Sequence, residues 1–202
     1  PNDEGRHVIT ASFDKSVRIF NISAFSHPAP DADEKSKSSK KVCQLLAHRQ
    51  AIGSIAYSPN AQYLATGSED STVIIWDMPK VMKTKERQFV HTLPHPGPVY
   101  AVAFSSDSRK VYTACKDRGI RCFVCESGQE FWDEPLISSK AQSAGAGGNR
   151  RSSIASNKID LPLALSASPD GTMLACGSQD KTITIFDIAT DPKVPSLKFD
   201  PL

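Results

Sequence analysis

An imidazole, a hydroxyl and a carboxylate, His48, Thr66 and Asp70, supply the ingredients of a hydrolytic triad. An enzyme needs one such constellation, held in a cleft beside an oxyanion site. Here the set recurs as His95, Thr113 and Asp117, with the same His-to-Asp separation of 22 residues, and it decays elsewhere in the chain. A device that is repeated and allowed to degrade serves structure, so a hydrolase is only a distant alternative. Cys122-Phe-Val-Cys125 has the spacing of half a zinc site or of a redox motif. Positions three apart on a strand point to opposite faces, however, and no second pair completes a site. His91 and His95 straddle a proline-bearing loop, so helical metal spacing does not apply. The glycines of Ala144-Gly-Ala-Gly-Gly148 follow no strand and open no helix, which removes phosphate binding. No catalytic residue, metal or cofactor is expected.

The elements that must position these side chains are hairpins. Tyr63 to Ser68 and Thr72 to Trp76 are β-prone runs, and Ser68-Glu69-Asp70-Ser71 is a polar turn between them. The same plan occurs four times. Thr10/Asp14/Phe20, Thr66/Asp70/Trp76, Thr113/Asp117/Phe123 and Cys176/Asp180/Phe186 each step by four and then six residues. Side chains alternate along a strand, so Thr66 and Trp76 are expected on one side of their hairpin.

A strand precedes three of the hairpins: Ile52 to Tyr57, Val99 to Phe104 and Leu161 to Ala167. A fourth strand follows each, at Cys43 to Ala47, Gln88 to Leu93, Gly128 to Trp132 and Pro195 to Phe199. Residues 1–6 read as a turn, and Met78 to Arg87 as a polar connecting loop. Successive turn aspartates are 56, 47 and 63 residues apart. Less the loop insertions, that leaves roughly the ~40–45 residues of a four-stranded propeller blade. One such sheet cannot cover both of its faces, so the units must stack.

Composition agrees with a globular chain: 202 residues, 39% apolar and 23% charged, with a net charge of +2. That balance advertises neither a membrane nor a nucleic-acid partner. No apolar run approaches the ~20 residues of a membrane helix. The five cysteines (Cys43, Cys115, Cys122, Cys125 and Cys176) are odd in number and irregularly spaced, which reads as buried free thiols in a reducing compartment. Two insertions, 23–41 and 137–158, are polar and aperiodic. The first holds a basic cluster, and in the second Arg150-Arg-Ser-Ser153 matches the pattern of basophilic kinases, making Ser153 a candidate phosphosite.

His48, Ser58-Pro-Asn60, Leu64-Ala-Thr-Gly-Ser68, Asp70, Thr72-Val-Ile-Ile75 and Trp76-Asp77 together resemble a WD-repeat of the β-propeller (WD40) family. The resemblance implies an all-β fold of four-stranded antiparallel blades, about three and three-quarters in number, in an incomplete ring. The expected division is a partial first blade at 1–47 with its loop at 23–41, then blades at 48–93, 94–136 and 159–202, with 137–158 inserted. It also implies a hydrogen-bonded tetrad of His48, Thr66, Asp70 and Trp76, with counterparts His95, Thr113, Asp117 and Phe123. Partial sets are Thr10, Asp14 and Phe20, and Cys176, Asp180 and Phe186, with Lys158 where the last copy would have its His. Trp132-Asp133 spells the family dipeptide in the fourth-strand position, so Trp132 is expected to pack.

By the same resemblance the protein is a non-catalytic platform for other proteins or peptides in an intracellular complex, in cytoplasm or nucleus. Binding would favour the residue before each turn Asp (Phe13, Glu69, Lys116 and Gln179) and the start of each innermost strand (Gly53, Tyr100 and Leu163). The runner-up is a nucleic-acid-associated propeller using its Lys-rich loops. Because the chain enters at a second strand, it is expected to be a fragment of a longer propeller or an open arc.

Overall fold

The computed structural model describes residues 7–22, 40–117, 119–132, 161–189 and 195–199. Their β-branched and apolar runs form four antiparallel meanders in chain order. The first is β1 (His7–Ala11), β2 (Ser16–Asn21) and β3 (Lys40–Leu46). The second is β4 (Ile52–Tyr57), β5 (Tyr63–Ser68), β6 (Thr72–Asp77) and β7 (Phe89–Pro94). The third is β8 (Val99–Phe104), β9 (Lys110–Cys115) and β10 (Ile120–Val124). The fourth is β11 (Pro162–Ala167), β12 (Met173–Ser178), β13 (Ile183–Asp187) and β14 (Pro195–Phe199).

The sheets follow one another, with β1 beside β4, β4 beside β8 and β8 beside β11. The described residues thus form an open arc of stacked sheets rather than a closed ring.

Strand alternation explains how this arc coheres. Along β6, Ile74 and Trp76 enter the core between the first and second sheets, where they meet Ile19, Leu45 and Leu64. Val73 and Ile75 point the other way, into the core shared with Val99, Val111 and Phe123 of the third sheet. A third core, with Ile120, Cys122, Leu174 and Phe186, joins the third sheet to the fourth. Each fully buried side chain of this kind stabilises by about 1.5–3 kcal/mol. The backbone is pinned across the seams as well. Val102 N–H donates to Ser54 Oγ at 2.9 Å, and Asn60 N–H donates to Ser108 Oγ at 3.0 Å.

The repeat extends to backbone conformation. The residue after the turn aspartate is left-handed at Lys15 (φ 71°), Ser71 (φ 67°) and Lys181 (φ 67°). The turn between first and second strands repeats this at Ala61, Ser108 and Gly171.

Three features depart from the expectations. The segment after β6 is not a loop throughout, because Met78–Thr84 forms a helix, α1. Asp77 caps it by accepting Lys80 N–H at 3.0 Å, Pro79 fits its first turn, and Met78 and Val81 bury against the core that holds Trp76. Secondly, β3 starts at Lys40, inside the expected 23–41 loop. Thirdly, the fourth strand expected at Gly128–Trp132 is reduced to one bridge, Phe123 opposite Glu130. Gly128, at φ 70°, closes a tight turn by donating its N–H to Val124 O at 2.8 Å, and the returning chain is held to β10 by Val124 N–H donating to Gln129 O at 2.9 Å and Phe131 N–H donating to Cys122 O at 2.6 Å. Trp132 is buried, its ring 5.7 Å from that of Tyr112. Residues 1–6, the remainder of the 23–41 loop, and the 137–158 insertion with Ser153 and Lys158 lie outside the described residues.

Candidate functional site

The second sheet brings His48, Thr66, Asp70 and Trp76 together. Trp76 Nε1–H donates to Thr66 Oγ1 at 3.0 Å, and Thr66 Oγ1 lies 2.8 Å from His48 Nε2. His48 Nδ1 is 3.0 Å from Asp70 Oδ2. One proton arrangement satisfies all three contacts: the Thr66 hydroxyl donates to Nε2, and Nδ1–H donates to the carboxylate. Asp70 also accepts Arg49 N–H at 2.7 Å, Thr72 N–H at 3.0 Å and the Thr72 hydroxyl at 2.6 Å. Burial works against the Asp70 charge, yet the donors of Thr72, Arg49 and His48 outweigh it and hold its carboxyl below the usual carboxylate range. Thr66 is fully buried and its oxygen is engaged on both sides, so no substrate reaches it.

The third sheet does not repeat this arrangement. His95 Nε2 still meets Thr113 Oγ1 at 2.8 Å, but its Nδ1 turns to the carbonyl of Leu93 at 3.1 Å. Asp117 is held instead by Arg121, whose guanidinium donates to Oδ1 at 3.2 Å and Oδ2 at 2.5 Å. Two substitutions account for the change. Gly119 stands where the second sheet has Thr72, so the hydroxyl donor is gone. Arg121 stands where that sheet has Ile74, and a guanidinium outcompetes an imidazole for a half-exposed carboxylate. His95 is thereby left buried, tilted against Phe123 with ring centroids 5.4 Å apart. Burial foremost, with the Arg121 charge adding to it, pushes its pKa down to about 4 against the opposing pull of the Leu93 carbonyl and Asp117.

The outer copies are partial. Asp14 accepts the Ser16 N–H at 3.0 Å and the Ser16 hydroxyl at 2.6 Å and pairs with Arg18. The Ser16 hydroxyl, above all, draws its carboxyl down to about 2. Thr10 is exposed and Phe20 half-buried. In the fourth sheet Asp180 accepts the Thr182 N–H at 3.0 Å and hydroxyl at 2.6 Å, and Phe186 is fully buried. Burial pushes the Cys176 thiol up to about 11. Nearby Thr184 Oγ1 is the one buried side-chain oxygen or nitrogen among the described residues without a hydrogen-bond partner. Sequence reasoning passed over Thr72, Arg18 and Arg121, although the position four residues after each turn aspartate was there to compare: Arg18, Ile74, Arg121 and Thr184.

The rim positions are displayed at the same strand ends as the turn aspartates. Phe13 is 77% exposed, and Glu69, Lys116 and Gln179 are exposed as well. Gly53 and Leu163 are exposed at the starts of their inner strands, whereas Tyr100 is half-buried.

Among the described residues no group of three or more His, Cys, Asp or Glu could hold a metal ion. The five cysteines are free and buried. Cys122 faces the core between the third and fourth sheets and Cys125 the core between the second and third, and burial pushes both thiols up to about 12. No described helix is long and apolar enough to cross a membrane.

Repeated antiparallel meanders of three or four strands stacked in an arc, with a His–Thr–Asp–Trp network tying one hairpin, define a class of β-propeller. The sequence matches the family described as WD domain, G-beta repeat over residues 39–77, 87–123 and 158–187, and the chain belongs to that family. It is 35% identical over 98 residues to mouse DNA damage-binding protein 2, covering 48% of this chain and 21% of that protein. It is 30% identical over 144 residues to an Arabidopsis thaliana WD repeat-containing protein, a WDS homolog, covering 70% of this chain and 23% of that protein. Against Schizosaccharomyces pombe Protein hir1 it is 27% identical over 130 residues, covering 58% of this chain and 14% of that protein. The chain thus spans less than a quarter of the length of these relatives.

Proposed function

We propose that this chain is a non-catalytic platform on which an intracellular complex is assembled, engaging proteins or peptides along the rim that carries Phe13, Glu69, Lys116 and Gln179. The observation that carries the reading is the contrast between the two kinds of polar residue on this rim. In the second sheet the tetrad side chains are consumed in internal hydrogen bonds, while the residues before the turn aspartates project into solvent. An aromatic ring 77% exposed at Phe13 supplies the low-entropy anchor from which binding hot spots are built. Leu163 and Gly53, exposed at the inner end of the same rim, extend the surface. Buried free thiols suit a reducing compartment.

Alanine at Phe13 and at Tyr100 tests this. Both variants are expected to lose capture of the partner by the full chain and to keep the wild-type unfolding midpoint. Loss of stability with unchanged capture overturns the site.

A second reading has an observation of its own. Exposed Lys80, Lys83, Lys85 and Arg87 cluster on and just after α1, and a relative at 35% identity is named for binding damaged DNA. Nucleic-acid binding through phosphates would weaken steeply with salt. Lack of retention on a polyanion at ~50 mM salt, where such binding is strong, removes this reading.

A further inference from the structure

At the strand ends opposite the tetrad turns, a groove runs between the second and third sheets. It consists of two cavities, of about 360 and 400 Å³, that share Tyr63 and Glu126. Tyr63 opens β5, and Glu126 lies in the tight turn after β10. The first cavity is also walled by Phe89, 52% exposed and edge-on to Trp76, and by half-buried Val90. The second extends past Asp107 and Arg109.

Most charges along the groove are already engaged. Lys80 Nζ meets Asp77 at 2.8 Å, and Asp107 accepts the Ser105 hydroxyl at 2.6 Å and the Arg109 N–H at 3.0 Å. Two groups at the join are not. Among the described residues the Glu126 carboxylate takes no hydrogen bond or ion pair, and the Tyr63 hydroxyl takes no hydrogen bond. Burial, with Cys125, Glu126 and Asp77 close by, pushes the Tyr63 phenol up, so it stays protonated and available to donate or accept. An unengaged carboxylate beside exposed aromatic carbon is what a basic side chain needs. Its charge pairs with the acid, and its methylenes, or its cationic face, lie against the ring.

We infer that this groove docks an extended segment of a partner protein, with an arginine or lysine of that segment seated at Glu126 and Tyr63 and a neighbouring apolar residue against Phe89 and Val90. Two joined cavities lined from both sheets favour a chain over a single small cation. Arg109, exposed at the far end, leaves a place for a carbonyl or carboxylate of the same segment. The site lies at the other end of the strands from Phe13 and Tyr100, so it stands or falls independently of the rim.

The test is fluorescence polarisation with the full chain and three labelled hexapeptides, centred on Arg-Leu, Gln-Leu and Glu-Leu. The Arg probe is expected to bind about tenfold more tightly than the Gln probe, the return for one charged hydrogen-bonded contact. Glu126→Gln should erase that preference, Glu126→Arg should transfer it to the Glu probe, and Glu86→Gln, outside the groove, should leave it intact. An Arg preference that survives Glu126→Gln, or the absence of any preference among the probes, overturns the inference.

Discussion

Arg121 takes the carboxylate of Asp117, four residues before it, and so detaches His95 from a network that His48 keeps intact one sheet away. Both sheets carry the same His, Thr and Asp at the same spacing. The difference lies in two side chains beside them, and it should be reversible. In a Gly119→Thr, Arg121→Ile double variant, His95 Nδ1 is expected to turn from Leu93 to Asp117. Proton NMR of the imidazole would then show His95 titrating higher than its present value of about 4. An unchanged titration would mean that something other than Arg121 holds the ring.

The same residue sets a pH window. His95 has an ordinary pKa of 6.5 and a folded value of about 4, so the folded state binds fewer protons than the unfolded state between those values. Its contribution is therefore present above pH 6.5 and lost as pH falls towards 4, at up to about 1.4 kcal/mol per pH unit and about 3 kcal/mol in all. Asp70 and Asp117, held below their ordinary 3.8, lose their contributions at still lower pH. Urea unfolding at a series of pH values should show the decline, and His95→Asn should flatten it between pH 6.5 and 4, whatever that variant does to stability at neutral pH.

How much of this was readable beforehand depended on periodicity. The four-and-six spacing from Thr66 to Asp70 to Trp76 identified the hairpins, because alternation and turn chemistry act locally. α1 was missed because four basic side chains gave Met78 to Arg87 the look of a loop. The cap signal of Asp77 before Pro79, with Met78 and Val81 three apart, was present all the same. The capture of Asp117 by Arg121 was hidden for another reason. It is a competition between two donors for one carboxylate, and the winner depends on exposure and on a missing hydroxyl at Gly119, which motif spacing does not encode. The groove at Tyr63 and Glu126 joins turns from two sheets, 63 residues apart in sequence, and no local pattern announces it.

Asp70 and Asp117 should differ sharply in what they contribute to stability. Asp70→Ala leaves His48 Nδ1, Arg49 N–H and Thr72 without their acceptor in a nearly closed site, and should cost about 3–5 kcal/mol. Asp117→Ala removes a partly exposed acid and leaves Arg121 with a second carboxylate, Glu130 at 3.7 Å, so about 1 kcal/mol is expected. Equal losses in denaturant unfolding would show that the two acids are equivalent despite their partners.

Trp76→Phe asks a narrower question, since Phe20, Phe123 and Phe186 hold this position in the other copies. The substitution removes the N–H that meets Thr66 Oγ1 at 3.0 Å. A loss of about 1–2 kcal/mol is expected from that bond and the reduced ring volume. Adding Thr66→Val should then cost less than it does in the wild-type background, because the bond between the pair is already gone. Strict additivity of the two changes would show that the indole contributes packing alone.

Gly67 tests the seam between the second and third sheets. A Cβ there would lie 2.8 Å from Val99 Cγ1 and 3.1 Å from Val102 Cγ1, closer than carbon atoms approach without displacement. Both valines are buried on β8, so the strain falls on the seam between the two sheets. Gly67→Ala is accordingly expected to destabilise by about 1–3 kcal/mol, the range for an overpacked core. Val99→Ala opens a small cavity and costs stability by itself. Combined with Gly67→Ala, it should recover part of the loss, since the new methyl group fills the space that the valine vacates. A double-mutant cycle would therefore give a coupling energy of opposite sign to the two single effects. A coupling near zero would mean that the methyl group is accommodated by backbone movement within β5 rather than against β8.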